Sequence, residues 1–346
     1  HQEEVNMKYS VILGTMTAAG LAAGAAMAGT LDDVQARGKL NCGVTTGVPG
    51  FAQPDADGVW QGFDVAVCRA VAAAVLGDGS AVEFVPTTGK TRFTSLASGE
   101  IDMLARNTTW TFSRDVDLKF EFTGVNYYDG QGFMVKKDTG ITSSKSQDID
   151  GVTVCIQTGT TTELNLADHF RTVGMSYEPL PVESGSEAVT QYLAGACDMF
   201  TTDASALAAR RANFENPNDH VLLPEIISKE PLGPLVRHGD NNWGDVVRWT
   251  LNALITSEEL GVTSGNIEEM SKGTNNPEMN RLLGSEGNLG EMLGLDADWA
   301  KRAIMVGGNY GEIFENNIGS GTIIGLARGL NAQWTDGGLI YSPPFR

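Results

Sequence analysis

The stretch RNTTWTFSRD, Arg106 to Asp115, gathers two arginines, an asparagine and a row of hydroxyls directly after the apolar run IDMLA. A surface turn needs none of that chemistry. In an open α/β sheet the C-terminal end of a strand is where ligands bind. Hydroxyls and backbone N–H groups there can cradle a carboxylate, and an arginine fork can close on it through two parallel hydrogen bonds. Thr109 and Arg114 have the types and spacing for that work. The same residues also make an ordinary helix cap beside a surface arginine. Pattern alone leaves both readings open.

Two later stretches supply a counterpart. QTGTTTELN, Gln157 to Asn165, joins a strand to a helix, with Thr160 to Thr162 at the helix start. Oriented N–H groups at such a start suit an anion, and the helix dipole adds roughly 0.3–1 kcal/mol. In TTDASALAAR, Asp203 ends the strand CDMFTT. It is either the cap of its own helix or the acceptor for a ligand ammonium. Buried charges need partners, and an arginine facing an aspartate across a cleft is what a zwitterion satisfies.

Other chemistries find no support. TTGKT, Thr87 to Thr91, imitates the tail of a phosphate-binding loop, but Phe84 stands where that loop needs a glycine. No G-x-S-x-G elbow or H-E-x-x-H pair occurs, and the glycines of GSGTIIG lack dinucleotide-binding spacing. The four histidines are scattered and no C-x-x-C exists, which argues against zinc. A net charge of -19 argues against nucleic acid and anionic membranes as partners. It leaves an anionic small ligand possible, because a few local cations override a distant field.

The elements that must position these residues alternate. KLNCGV, FDVAVCRAVAAAVL, VEFVP, TRFTSLASG and IDMLA read as strand, helix, strand, helix, strand, the pattern of a parallel sheet. From Gly151 the plan repeats as GVTVCIQ, TTELNLADHFRTVG, YEPLPV, SEAVTQYLAGA, CDMFTT and a helix from Asp203. Two copies imply two α/β lobes. DGQGFMVKKD and EPLGPLVRHGD read as extended, glycine-flanked crossings between them, and paired crossings make a hinge. From Trp243 onward the chain reads as helices that pack back on the first lobe.

Residues 1–28 read as a leader: Val11 to Ala26 is small and apolar, and Ala26-Met27-Ala28 fits an A-x-A cleavage site. The residues before Met7 have no assignable role. No later segment approaches a membrane span, so an exported, soluble chain is expected. In an oxidising compartment the four cysteines suggest two disulfides. Spacing favours Cys42 with Cys68 and Cys155 with Cys197, one in each lobe, although three pairings are open to four cysteines.

RNTTW, GTTTELNLAD, YYDGQGFMV, TTDASALA and LPEIISKEPLGPLVRHGD, in that order, resemble the periplasmic binding proteins of general L-amino-acid ABC transporters. The likeness runs over essentially the whole chain after the leader, including C-terminal helices that smaller relatives lack. It implies a type II periplasmic-binding-protein fold, α/β and two-lobed, each lobe a mostly parallel sheet flanked by helices and joined by a two-strand hinge. The expected division of the chain is the leader (1–28), the first part of lobe one (29–130), lobe two with hinge crossings at its ends (131–237) and a return to lobe one with the C-terminal helices (238–346).

The resemblance also implies roles. Thr109 and Arg114 hold a ligand α-carboxylate from lobe one, Thr161 adds a hydrogen bond from lobe two, Asp203 accepts the α-ammonium, and Asn107 contributes to the ammonium. It strengthens the two-disulfide pairing, since all four cysteines fall in motifs the subfamily shares. Arg106 stands where narrower relatives have a small residue; it meets a ligand side chain or pairs with an acid. Thr160, Thr46, Lys90 and Arg92 are further polar candidates, Val48 and Phe51 occupy the loop where smaller relatives carry an aromatic, and Trp110 reads as packing. The expected protein is a periplasmic monomer without cofactor, not an enzyme. It takes polar L-amino acids such as glutamate, glutamine, aspartate and asparagine, and delivers them to membrane permease subunits. A periplasmic enzyme on the same fold, dehydrating small cyclic acids, is the alternative.

Overall fold

The computed structural model describes residues 29–346; the leader expected over residues 1–28 lies outside them. The alternating runs build two five-stranded sheets with helices on their faces. The first lobe opens with α1 (Thr30–Arg37), β1 (Leu40–Thr45), a hairpin of β2 (Gln53–Pro54) and β3 (Trp60–Gln61), and α2 (Phe63–Leu76). It continues with β4 (Val82–Thr87), α3 (Arg92–Ser98), β5 (Met103–Leu104) and β6 (Phe120–Phe122). The chain then crosses on β7 (Tyr127–Asp129) into β8 (Gln131–Lys136), β9 (Val152–Gln157), α4 (Thr161–Val173) and β10 (Tyr177–Val182). α5 (Gly185–Leu193), β11 (Met199–Asp203), α6 (Ala204–Ala212) and β12 (His220–Leu222) complete the second lobe. β13 (Glu230–Leu232) crosses back into β14 (Leu235–Arg237).

The sheets share one plan, β4-β1-β5-β14-β6 and β10-β9-β11-β8-β12. β1 pairs in parallel with β4 and β5, while β14 runs antiparallel to β5 and β6. β9 likewise pairs in parallel with β10 and β11, and β8 runs antiparallel to β11 and β12. In each sheet the reversed strand is the first one reached after a crossing. Four strands of each sheet therefore share a direction, yet only half of the pairings are parallel. β10 carries Pro179 and Pro181 and sits at a sheet edge, where missing N–H donors cost nothing.

The crossings are β7 and β13, paired antiparallel with Glu230 opposite Asp129 and Leu232 opposite Tyr127. Sequence placed the first crossing at DGQGFMVKKD. The structure moves it a few residues earlier, because Gln131–Lys136 is wholly taken up as the central β8. Close packing enforces the exit: a Cβ on Gly130 would lie 2.2 Å from Ile226 and 2.8 Å from the Ser228 carbonyl.

α7 (Asn241–Glu259), α8 (Ile267–Met270), α9 (Pro277–Leu282), α10 (Leu289–Leu293), α11 (Trp299–Gly307) and α12 (Tyr310–Asn317) follow. α7, α11 and α12 pack on α2. The apolar spacing of α2 reads as one buried face, but nearly every residue of it is buried. The reason is the second cover. Phe63, at its start, meets Tyr310 and Phe314 edge to face at 5.8 and 6.3 Å, which places an aromatic core between α2 and α12.

The disulfides are Cys42–Cys68, joining β1 to α2, and Cys155–Cys197, joining β9 to the segment before β11. They close loops of 26 and 42 residues. On the loop-entropy model that stabilises the fold by about 3.5 and about 4 kcal/mol.

Candidate functional site

One polar cavity lies between the two sheets. Its lining comes from strand ends and helix starts: Thr45 at the end of β1, Gln157 at the end of β9, Thr202 and Asp203 at the end of β11, and Thr160 to Thr162 at the start of α4. Val48, Asn107, Gly185, Phe200 and Ala206 add to it. Four arginines also line it, Arg92, Arg106, Arg114 and Arg210, against a single acid, Asp203.

On the first lobe the loop after β5 is pinned from below. Asn107 adopts φ 45°, a left-handed conformation that asparagine tolerates better than most residues. Its N–H donates to Asp64 over 3.2 Å, and Asn126 Nδ2 donates to the same carboxylate over 3.5 Å. Burial pushes the Asp64 carboxyl up to about 7, against those hydrogen bonds and the nearby Arg106 charge. Arg114 projects from a π-helical turn, Ser113–Asp117, and its Nη1 donates to the Thr109 carbonyl over 2.8 Å. The guanidinium lies 5.1 Å from the centre of the Phe93 ring, which stacks on Phe120 at 5.3 Å. Burial lowers the Arg114 pKa to about 10, so the group stays charged at neutral pH.

On the second lobe Thr160 caps α4, accepting from the Glu163 N–H over 3.2 Å and donating to the Gln157 carbonyl over 2.7 Å. Its hydroxyl is occupied in holding the helix start. Thr161 Oγ1 donates to Glu230 Oε2 over 2.9 Å, and the Thr109 hydroxyl from the other lobe donates to the same oxygen. Asn165 and Ser228 donate to Glu230 Oε1 over 2.7 and 2.6 Å. Both threonine hydroxyls are thus engaged, while Arg114 and the start of α4, whose first backbone N–H groups have no partner within the helix, line the cavity. Asp203 makes no side-chain cap to α6 and joins no ion pair among the described residues. Burial raises its pKa well above the usual carboxylate range, Asp129 and Glu230 raise it further, and Arg92 and Arg114 oppose them.

The structure gathers Asn107, Thr109, Arg114, Thr160, Thr161, Asp203, Arg106 and Arg92 around this cavity, and Val48 as well. Thr46 is absent from the lining, and its neighbour Thr45, the last residue of β1, takes the place. Lys90 is also absent from the lining, paired with Glu183 at 2.7 Å with both side chains more than half exposed. Phe51 is core, 5.6 Å from Tyr127. Trp110 stacks on Phe122 at 5.6 Å and donates to Asp115 over 2.7 Å.

Sequence reasoning missed Arg210 and Glu230. Asp203, Ala206 and Arg210 all line the cavity at positions i, i+3 and i+7, one face of a helix, and that spacing was there to be found. No pattern sets Glu230 apart from a surface acid.

The lobes touch across the cavity. Arg92 Nη2 donates to the Gly159 carbonyl over 3.2 Å, and Arg210 Nη2 to the Gly47 carbonyl over 3.1 Å. Gly89 lies so close to the other lobe that a Cβ would meet the Thr158 carbonyl at 2.4 Å. This is a closed arrangement. Among the described residues no cluster of His, Cys, Asp or Glu is placed to hold a metal ion, and no helix is long and apolar enough to cross a membrane.

Residues 40–264 match the family model of bacterial extracellular solute-binding proteins, family 3. The chain belongs to that family. A relative from Rhodobacter capsulatus, the glutamate/glutamine/aspartate/asparagine-binding protein BztA, is 62% identical over 98% of this chain and all of its own length. The general L-amino acid-binding periplasmic protein AapJ of Rhizobium johnstonii is 53% identical over 98% of this chain and 100% of its own. Among solved structures, an ABC transporter periplasmic binding protein from Brucella ovis with glutathione bound superposes with a TM-score of 0.89 at 55% identity. The match covers 92% of this chain and all of that one. As a family 3 solute-binding protein, the chain has the two-sheet architecture that puts a closable cavity at the strand ends.

Proposed function

We propose that this protein binds polar L-amino acids, with glutamate, glutamine, aspartate and asparagine as the ligand set, and delivers them in the periplasm to the permease of an ABC transporter. One observation carries the reading: Arg114 and Asp203, a guanidinium and a carboxyl group contributed by different lobes, line one cavity. Arg114 takes the α-carboxylate with the N–H groups at the start of α4, and Asp203 takes the α-ammonium. The ligand sets of the relatives support it. Glutathione carries the same α-amino acid group on its glutamyl end, so it presents the head that the clamp would hold.

Closure is the mechanism. A ligand seated on the first lobe adds contacts to Thr161, Asp203 and their neighbours only when the second lobe swings in, so it shifts the population toward the closed form by its differential affinity. The protein acts as a carrier rather than an enzyme. A thermal-shift screen over the common amino acids tests the reading, because a ligand that binds only the folded form raises the melting temperature. Stabilisation by the four named amino acids is expected. A flat response to every amino acid, or turnover of an added cyclic acid, contradicts it.

A further inference from the structure

We infer that Asn331 is a positioning residue for ligand binding: its side-chain amide fastens the crossing strand β7 to the first lobe, so that closure bends the chain only at Asp129 and, on the return strand, at Lys229 and Glu230. The inference rests on the reading of the protein as one that closes on a ligand, and adds to it a residue outside the cavity lining.

The need for a fastening is set by a proline. In the two-stranded crossing Tyr128 lies opposite Pro231. Pro231 has no N–H to offer, and its carbonyl is turned the other way, accepting from the Trp110 N–H over 2.8 Å. Both backbone groups of Tyr128 therefore face away from β13, as on an edge strand. Asn331 takes both. The Tyr128 N–H donates to Asn331 Oδ1 over 2.6 Å, and Asn331 Nδ2 donates to the Tyr128 carbonyl over 3.1 Å. One amide side chain does there what a third strand would do.

Asn331 is itself held by the first lobe. It ends a short 3-10 turn, Gly329–Asn331, beyond residue 264 where the family match stops. Arg328 Nε donates to the Asn331 carbonyl over 2.8 Å, and the same guanidinium forks onto Glu258 of α7 over 2.8 and 3.1 Å. It also lies 5.2 and 5.1 Å from the ring centres of Tyr310 and Phe314 on α12. The Tyr310 hydroxyl donates to the Asn126 carbonyl over 2.7 Å, a second hold just ahead of β7.

The second lobe takes over at once. The Ala204 N–H donates to the Gly130 carbonyl over 2.8 Å, and the Gln131 N–H donates to Ser228 Oγ over 3.2 Å. Between the hold on Tyr128 and the hold on Gly130 stands Asp129 alone; between Ser228 and Pro231 stand Lys229 and Glu230. Without the brace more residues of the crossing can bend in the unliganded protein. Closing on a ligand must then order them, which lowers affinity.

Asn280 provides a matched control. It too is almost fully buried, and it makes the same pair of bonds to one backbone residue. The Thr274 N–H donates to its Oδ1 over 2.7 Å, and its Nδ2 donates to the Thr274 carbonyl over 2.9 Å. Thr274 lies between α8 and α9 and takes no part in either crossing.

Calorimetry of the full chain with L-glutamate, and thermal melts, compare Asn331→Ala with Asn280→Ala. Both variants should melt below the wild type. Only Asn331→Ala should lose affinity, by about five- to thirtyfold, the factor for ordering one further backbone residue. An Asn331→Ala affinity within about threefold of wild type, or an equal loss in Asn280→Ala, overturns the inference. A measurement on the wild type serves even if the variant fails to fold. Amide exchange at Tyr128 should already be slow without ligand, because the strand belongs to the first lobe in either state. Exchange that stays fast until L-glutamate is added overturns the brace. A wild type that binds no amino acid contradicts the amino-acid reading instead, and exchange at Tyr128 without ligand then decides the fastening by itself.

Discussion

The hydroxyls of Thr109 and Thr161 lie 3.4 Å apart, although one belongs to the first lobe and the other to the second, and both donate to one oxygen of Glu230. Glu230 stands on the crossing strand β13 and is almost fully buried. A hinge carboxylate is therefore hydrogen-bonded by residues of both jaws.

Removing one of those donors tests that link. Thr161→Val leaves the buried Glu230 carboxylate short of a hydrogen bond in the closed form, a deficit of about 1–3 kcal/mol. Ligand affinity measured by calorimetry should fall by that amount. If that contact forms only on closure, the melting temperature without ligand should stay near the wild-type value. A large drop in the unliganded melting temperature with unchanged affinity would mean that the contact belongs to the resting fold.

Arg114→Ala removes the fork proposed for the α-carboxylate. Leaving a desolvated carboxylate without its charge partner costs about 2–5 kcal/mol of binding. Arg114→Lys keeps the charge and loses the planar fork, so it should recover part of the affinity. Near-native affinity of the alanine variant would move the carboxylate elsewhere.

Much of the frame was legible because its signals are local. Alternating apolar runs marked both sheets, and YEPLPV coincides with β10, Tyr177–Val182. The cavity loops followed from strand-end position and from hydroxyl and arginine content. What escaped depends on distant parts of the chain. IDMLA pairs over only Met103 and Leu104 before turning into the cavity loop, which no propensity announces. The burial of α2 on both sides required helices more than 150 residues downstream. Glu230 became a shared acceptor only through folding, since its partners Thr109, Thr161 and Asn165 are 121, 69 and 65 residues away.

Asp64 makes stability depend on pH. Its carboxyl titrates at about 7 in the fold, raised by burial, against roughly 4 in an unfolded chain. Between those values the folded state holds the extra proton, so stability falls as pH rises from about 4 to about 7. The amount is on the order of 4 kcal/mol. Asp64→Asn should be the more stable protein at pH 8 and lose that advantage near pH 4. Urea denaturation across this range checks it, and parallel stability curves for the two proteins contradict it.

The Cys155–Cys197 bridge closes the longer loop, 42 residues. Replacing both cysteines with serine should lower unfolding free energy by about 4 kcal/mol on the loop-entropy model. The bridge lies outside the cavity lining, so binding at low temperature should persist. Loss of ligand binding in a variant that remains folded would give the bridge a role at the site.

The central claim is that opposite ends of a zwitterion meet Arg114 on one lobe and Asp203 on the other. Its most direct test is calorimetry of Asp203→Ala with L-glutamate and with glutarate, which lacks the ammonium. The account predicts a loss of about 2–5 kcal/mol for glutamate and no loss for glutarate, which offers Asp203 no cation. Equal losses for the two ligands would show that Asp203 does not receive the ammonium.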